Sequence, residues 1–319
     1  MRPGVPRRAA LAAATAAIAL LSACGDATPP EVDLEAEAME SRWLSGLDLP
    51  VLMDCVRERD AAVLQAHRAG ARPGLPENAL PTMEASLRDG ALFVELDVRT
   101  TADGAPVLMH DSTLERTTTG AGAVSETPLA RLVELRLTDP AGEITEMAPP
   151  TLAQALDALD GVGFAMLDLK DVPLETLAEV VAETGAQDRI IAIAYTLDDA
   201  AAINGVLPEA MISVGIDALA DLDTLQAGGI NTDRVLAWLG LGQQGEPALD
   251  AALAEAGVET SFGDFRAEAS GRIDYLAMKD AGAAVLSVDD VAAAARALEA
   301  GQQARGVVAS CPEARVAAP

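Results

Sequence analysis

This chain of 319 residues has two histidines. One, His110, ends the stretch VELDVRTTADGAPVLMHD (94–111), which also carries Glu95 and Asp97. The other, His67, is followed by Arg68. A third acidic position, Asp168, lies two residues before Lys170. Three carboxylates without cysteine suit a hard divalent cation, Mg²⁺ or Ca²⁺, rather than structural zinc. An arginine and a lysine beside that cation suit a phosphate. Two imidazoles suit a general acid and a general base on opposite sides of a phosphorus centre. Together these types imply metal-assisted cleavage of a phosphate ester. They do not separate a diester from a monoester.

Such groups act only if the chain brings them together. Apolar runs rich in β-branched residues alternate with Ala/Leu-rich helical stretches: AVLQAH (62–67), LFVELDV (92–98), GFAMLDLK (163–170), RIIAIAYT (189–196), MISVGI (211–216), RVLAWLGL (234–241), VETSFGDF (258–265) and AAVLSVD (283–289). Eight strand–helix units in roughly 250 residues predict a (β/α)8 TIM barrel, an α/β fold whose active site lies at the C-terminal ends of the strands. An open doubly wound sheet is the fallback, but no glycine fingerprint for a dinucleotide follows the first strand. PVLMHD is too close to LFVELDV for a parallel crossover and must return as a hairpin. Asp103-Gly104 predicts a two-residue type I′ turn. That turn pairs Thr100 with Val107, Val98 with Met109 and Asp97 with His110. Residues from about 111 to 150 read as an inserted subdomain, closed by a helix with a Thr151…Gln154 capping box. His67, Arg68, Glu95, Asp97, His110, Asp168 and Lys170 then all converge on the barrel mouth.

The formal net charge of −28 argues against nucleic acid as a partner. Residues 1–23 read as an export leader: Arg2, Arg7 and Arg8, then an apolar run too short to span a membrane. The run ends Leu21-Ser22-Ala23-Cys24, which resembles a bacterial lipoprotein signal with Cys24 as the lipidated residue. The expectation is an exported lipoprotein held by that anchor on the periplasmic face of the envelope, by the general or the twin-arginine route, with the outer membrane favoured. Residues 24–60 read as an acidic tether followed by a helix against the barrel floor, 61–309 as the barrel, and 310–319 as a C-terminal tail. Export permits disulfides. Cys55 and Cys311 flank the barrel, whose chain ends meet, and are expected to pair.

The stretch AHRAGARPGLPENALPTMEASLRDGALFVELDVRTTADGAPVLMHDSTLERTTTGAG resembles the glycerophosphodiester phosphodiesterase family. Its pattern of His-Arg-Gly, Pro-Glu-Asn-Thr, Glu-x-Asp, Thr-x-Asp-Gly, His-Asp and Arg-Thr-Thr follows in order over about 55 residues; later pieces extend the likeness over most of residues 62–300. The resemblance implies metal-dependent hydrolysis of a glycerophosphodiester to glycerol 3-phosphate and an alcohol, with a glycerol hydroxyl attacking first and a cyclic phosphate then opened by water. It implies His67 and His110 as the acid/base pair and one divalent cation on Glu95, Asp97 and Asp168. Arg68 and Lys170 would contact phosphate, with Glu77 nearby and Trp238 lining the pocket. Departures fall at Ala69, Ala79, Asp168 (Glu is usual), Leu239-Gly240 and Ser287-Val288-Asp289. Asp168-Leu169-Lys170 is also similar to sphingomyelinase D-like phospholipases, so a lysophospholipase D type of reaction is the alternative. A non-catalytic surface lipoprotein that binds phosphate esters is the rival of another class; it predicts a missing histidine or carboxylate, and none is missing.

Overall fold

A computed structural model describes residues 42–315, apart from 244 and 299. The leader, Cys24 and the acidic tether lie outside the described residues. All eight expected strands form. They are β1 Val63–Ala66, β2 Ala91–Thr100, β4 Phe164–Leu169, β5 Ile190–Ala194, β6 Met211–Gly215, β7 Val235–Leu241, β8 Glu259–Gly263 and β9 Val285–Val288, with β3 Pro106–Leu108 as the hairpin arm. Each barrel strand pairs in parallel with the next, and β1 pairs with both β2 and β9, closing the sheet into an eight-stranded TIM barrel. Closure removes the sheet edges. Helices pack around the barrel through buried aliphatic layers such as Leu96, Leu156, Leu167, Leu177 and Val181. Among the described residues no helix is long and apolar enough to cross a membrane.

The floor is plugged by helix α1, Leu49–Glu58, which starts because Asp48 caps it and proline occupies its first turn. Its apolar face, Leu49, Leu52, Met53 and Val56, packs on Phe93, Phe164, Met211, Leu236 and Val285 from the lower barrel. Fully burying side chains of this size is worth about 1.5–3 kcal/mol each. The expected disulfide joins Cys55 of α1 to Cys311, with Cα atoms 6.1 Å apart. Residues 311–315 are held against the plug, with Cys311 and Ala314 buried and Arg315 bridged to Leu47.

The hairpin forms one residue out of the expected register. Val98 pairs with Leu108 and Thr100 with Pro106, and Met109, not His110, donates its N–H to the Asp97 carbonyl at 2.9 Å. The cause is local. A type I′ turn needs positive φ at both central residues, and of Asp103 and Gly104 only Gly104 has it, at 84°. Asp103 instead accepts from the Thr101 hydroxyl at 2.7 Å and from the Leu129 N–H at 2.9 Å. The Thr101 hydroxyl also accepts the Ala105 N–H at 2.9 Å, so the loop holds three residues rather than two. The proposed side-by-side pair of Asp97 and His110 is therefore corrected.

The insertion builds a small core under the hairpin from Val107, Met109, Leu114, Val124, Leu132 and Leu135. It returns beside β3, where Pro150 accepts the Leu108 N–H at 2.9 Å. The Thr151…Gln154 capping box then starts the next helix as expected.

Candidate active site

The parallel register of β2 on β4 sets Asp97 directly beside Asp168, with Glu95 two residues back on the same face. One carboxylate oxygen from each of Glu95, Asp97 and Asp168 lies within 4.8 Å of the others. Each carboxylate is held by one neutral donor. Glu95 Oε2 accepts the Arg68 N–H at 2.6 Å, Asp97 Oδ2 accepts from Asn78 Nδ2 at 2.8 Å, and Asp168 Oδ1 accepts from the Tyr195 hydroxyl at 2.6 Å. Asn78 also accepts the Asp97 N–H through its side-chain oxygen, so it clasps that residue at two points. Of the remaining oxygens, Asp97 Oδ1 and Asp168 Oδ2 both face the Lys170 ammonium.

The Lys170 ammonium marks that positive charge fits there. It contacts Asp168 Oδ2 and lies 3.2 Å from Asp97 Oδ1. Burial pulls the Lys170 pKa down, but Asp168 and Asp97 outweigh it and hold the value above the ordinary one. Burial, and then the charge of Asp97, push the Glu95 carboxyl well above its usual range. One ammonium in close contact does not balance three carboxylates. The donor set is all oxygen. A hard divalent cation fits it.

Arg68 reaches Glu95 because the turn after β1 is left-handed, with φ of 47° at Arg68, 68° at Ala69 and 80° at Gly70. A Cβ at Gly70 would run into the Ser86 hydroxyl. Ala69 stands where the family pattern has glycine and still adopts this conformation, at a cost of roughly 1–2 kcal/mol. Arg68 Nε is buried without a hydrogen-bond partner among the described residues, 3.9 Å from Asp97 Oδ2. An orphaned guanidinium N–H beside a cation site is a donor waiting for an anionic oxygen.

Both histidines are backed by a carboxylate. His67 Nδ1 lies 2.8 Å from Asp289, and His110 Nδ1 lies 2.7 Å from Asp111. A carboxylate only accepts, so each Nδ1 carries the proton and each Nε2 is left for chemistry. The His67 ring stacks on Phe265 at 4.0 Å between centroids. Asp289 is fixed from behind by Glu268, which accepts the N–H groups of Asp289 and Asp290 at 2.8 Å each. Asp111 is fixed by Arg116, which donates to it at 2.5 and 2.9 Å. The hydrogen bonds from Arg116 hold Asp111 below the usual carboxylate range. Arg116 also donates to both oxygens of Glu77, at 2.9 and 2.8 Å, while Arg68 stands 3.6 Å from Glu77. Glu77 thus ties the turn after β1 to the insertion.

A cavity of about 290 Å³ opens beside the carboxylates. Its wall includes His67, Glu95, Asp168, Tyr195, Trp238 and Phe265, so Trp238 lines it as expected. The structure brings His67, Arg68, Glu95, Asp97, Asp168 and Lys170 together at the mouth, sets the His110 ring against Asp111, and adds several residues that the sequence left without a role. Asp111, Arg116, Asn78 and Asp289 all lay within motifs already singled out. Tyr195 directly follows β5, and its place at that strand's C-terminal end was the available signal.

Similar solved structures show the same barrel. A glycerophosphoryl diester phosphodiesterase from Parabacteroides distasonis superposes with a TM-score of 0.68 at 27% identity, over 75% of this chain and 86% of that one. An Oleispira antarctica phosphodiesterase, solved in complex with the product sn-glycerol-3-phosphate, superposes with a TM-score of 0.61 at 21% identity, over 76% and 99%. Bovine glycerophosphodiester phosphodiesterase 1 is 42% identical over 83 residues, 26% of this chain and 25% of its own length. The matched part spans about a quarter to a third of the length of such curated relatives. The model of the glycerophosphoryl diester phosphodiesterase family matches residues 67–302. The chain belongs to that family.

Proposed function

We propose that the barrel mouth hydrolyses glycerophosphodiesters to glycerol 3-phosphate and an alcohol. The observation that carries this reading is the paired construction of the rim. Three carboxylates, each steadied by one neutral donor, stand with two histidines whose Nδ1 atoms are tied to acids. Glu95, Asp97 and Asp168 would hold a divalent cation, which when bound would neutralise charge on the phosphoryl oxygens. Arg68 Nε and Lys170 hold the phosphate. One histidine Nε2 takes the proton from the glycerol hydroxyl as its oxygen bonds to phosphorus. The other gives a proton to the departing alcohol oxygen as the P–O bond breaks. Water then opens the cyclic phosphate with the two roles reversed. Asp289 and Asp111 keep both rings in the right tautomer through the cycle.

The test is product analysis with glycerophosphocholine and with a lysophospholipid. The reading expects glycerol 3-phosphate from the first, lost on chelation. Cleavage of the lysophospholipid alone would favour the phospholipase D type, and no turnover of either would favour a binding protein. Lipid anchoring at Cys24 belongs to the same proposal, supported by the basic–apolar–cysteine order of residues 2–24. Cys24→Ser should then move the protein from membrane to soluble fractions.

A further inference from the structure

The three donors that steady the carboxylates are not alike. The Arg68 N–H is backbone, and Asn78 is buried and grips Asp97 at two points. Tyr195 is 64% exposed, so core packing does not hold its ring in place. Its hydroxyl donates to Asp168 Oδ1 at 2.6 Å and accepts from Lys170 Nζ at 3.2 Å. Tyr195 therefore bridges the third carboxylate and the cation that faces the phosphate. Asp168 is also where the side chain is one methylene shorter than the family's usual glutamate.

We propose that Tyr195 sets the ion preference of the site, biasing it towards Mg²⁺ over Ca²⁺ by limiting Asp168 to one ligand oxygen. The inference rests on the metal reading of the rim. Mg²⁺ is small, takes six ligands and keeps several waters; Ca²⁺ takes six to eight oxygens and gains from carboxylates that bind through both. With Oδ1 committed to the phenol, Asp168 would offer an ion only Oδ2, the oxygen the Lys170 ammonium contacts and a bound cation would have to take from it. Glu95 and Asp97 likewise each have one oxygen committed. Three single oxygens would suit an ion that keeps several waters, as Mg²⁺ does. Without the hydroxyl, Oδ1 would also be open to an ion, and for the larger cation that extra ligand would offset the lost support of Asp168.

Titration calorimetry of the full chain with Mg²⁺ and with Ca²⁺, without substrate, tests this on wild type and Tyr195→Phe. The variant keeps the ring and loses only the hydroxyl, and its melting temperature without ions should match wild type. The Mg²⁺ affinity should fall about tenfold, as for loss of other outer hydrogen bonds to metal ligands, while Ca²⁺ affinity changes little. The Mg²⁺/Ca²⁺ affinity ratio should therefore drop about tenfold. An unchanged ratio, whether both affinities fall or neither does, overturns the role of Tyr195 and leaves the metal reading standing. Failure of wild type to bind either ion overturns both.

Discussion

The two ends of the barrel bury carboxylates in opposite ways. At the floor, Glu259 is 3% exposed and meets Arg57 of the plug at 2.7 Å, an arginine that also contacts the half-exposed Asp54. Burial still pushes Glu259 up to about 7 against the pull of Arg57. The disulfide and the apolar face of α1 seal that end. At the rim, where the three carboxylates cluster, one ammonium closely contacts Asp97 and Asp168, and an arginine N–H has no hydrogen-bond partner among the described residues. Buried charge is costly unless it is paired. A fold that pairs it at one end and leaves a surplus at the other keeps the surplus for something that binds.

If that contrast is right, rim substitutions should remove chemistry and spare stability, and floor substitutions should do the reverse. The largest effect should come from Asp97→Asn, which removes a ligand charge. Several kcal/mol of transition-state stabilisation are then at stake, so turnover should fall on the order of a thousandfold, measured as glycerol 3-phosphate release. At the floor, replacing Cys55 and Cys311 with alanine should cost about 2–4 kcal/mol in denaturant unfolding. Turnover per folded molecule should be unchanged.

Glu259 gives a pH signature confined to the floor. Its ordinary value is 4.5 and its folded value about 7. Between those values the folded state holds a proton that the unfolded chain has released. Stability should therefore fall as pH rises from about 4.5 to about 7, by up to about 3 kcal/mol, and level off above. Denaturation curves at pH 5 and pH 8 should show the loss in wild type and a smaller one in Glu259→Gln. Asn78→Ala should have the smallest effect, weakening divalent-cation affinity about 10- to 100-fold in calorimetry by freeing Asp97 Oδ2. Equal loss of stability from rim and floor variants would break the comparison.

The sequence made the barrel legible because its signal is local. β-branched runs of strand length, separated by helical segments, mark eight parallel strands whatever their partners are. The carboxylates were legible for the same reason: Glu95 and Asp97 stand two apart in one strand beside Asp168 in the next, and a period of two puts them on one face. The hairpin register was not, because it turned on the Thr101 hydroxyl, which captured both Asp103 and the Ala105 N–H. Nor were the partners that steady the site. Tyr195 and Asp168 are 27 residues apart, and His67 and Asp289 are 222 apart. Such pairs exist only once the barrel closes. His110 shows the limit most clearly. Its backbone follows Met109, whose N–H meets the Asp97 carbonyl, but its imidazole pairs with its neighbour Asp111, held by Arg116 from the insertion.

The central claim is that the two carboxylate-backed histidines work on a phosphate held by the cation site. Turnover of glycerophosphocholine by His110→Ala, at saturating Mg²⁺ and with ion binding checked by calorimetry, tests it most directly. The account predicts wild-type ion affinity and turnover reduced about 10²- to 10⁴-fold. Unchanged turnover with the ion bound would contradict it.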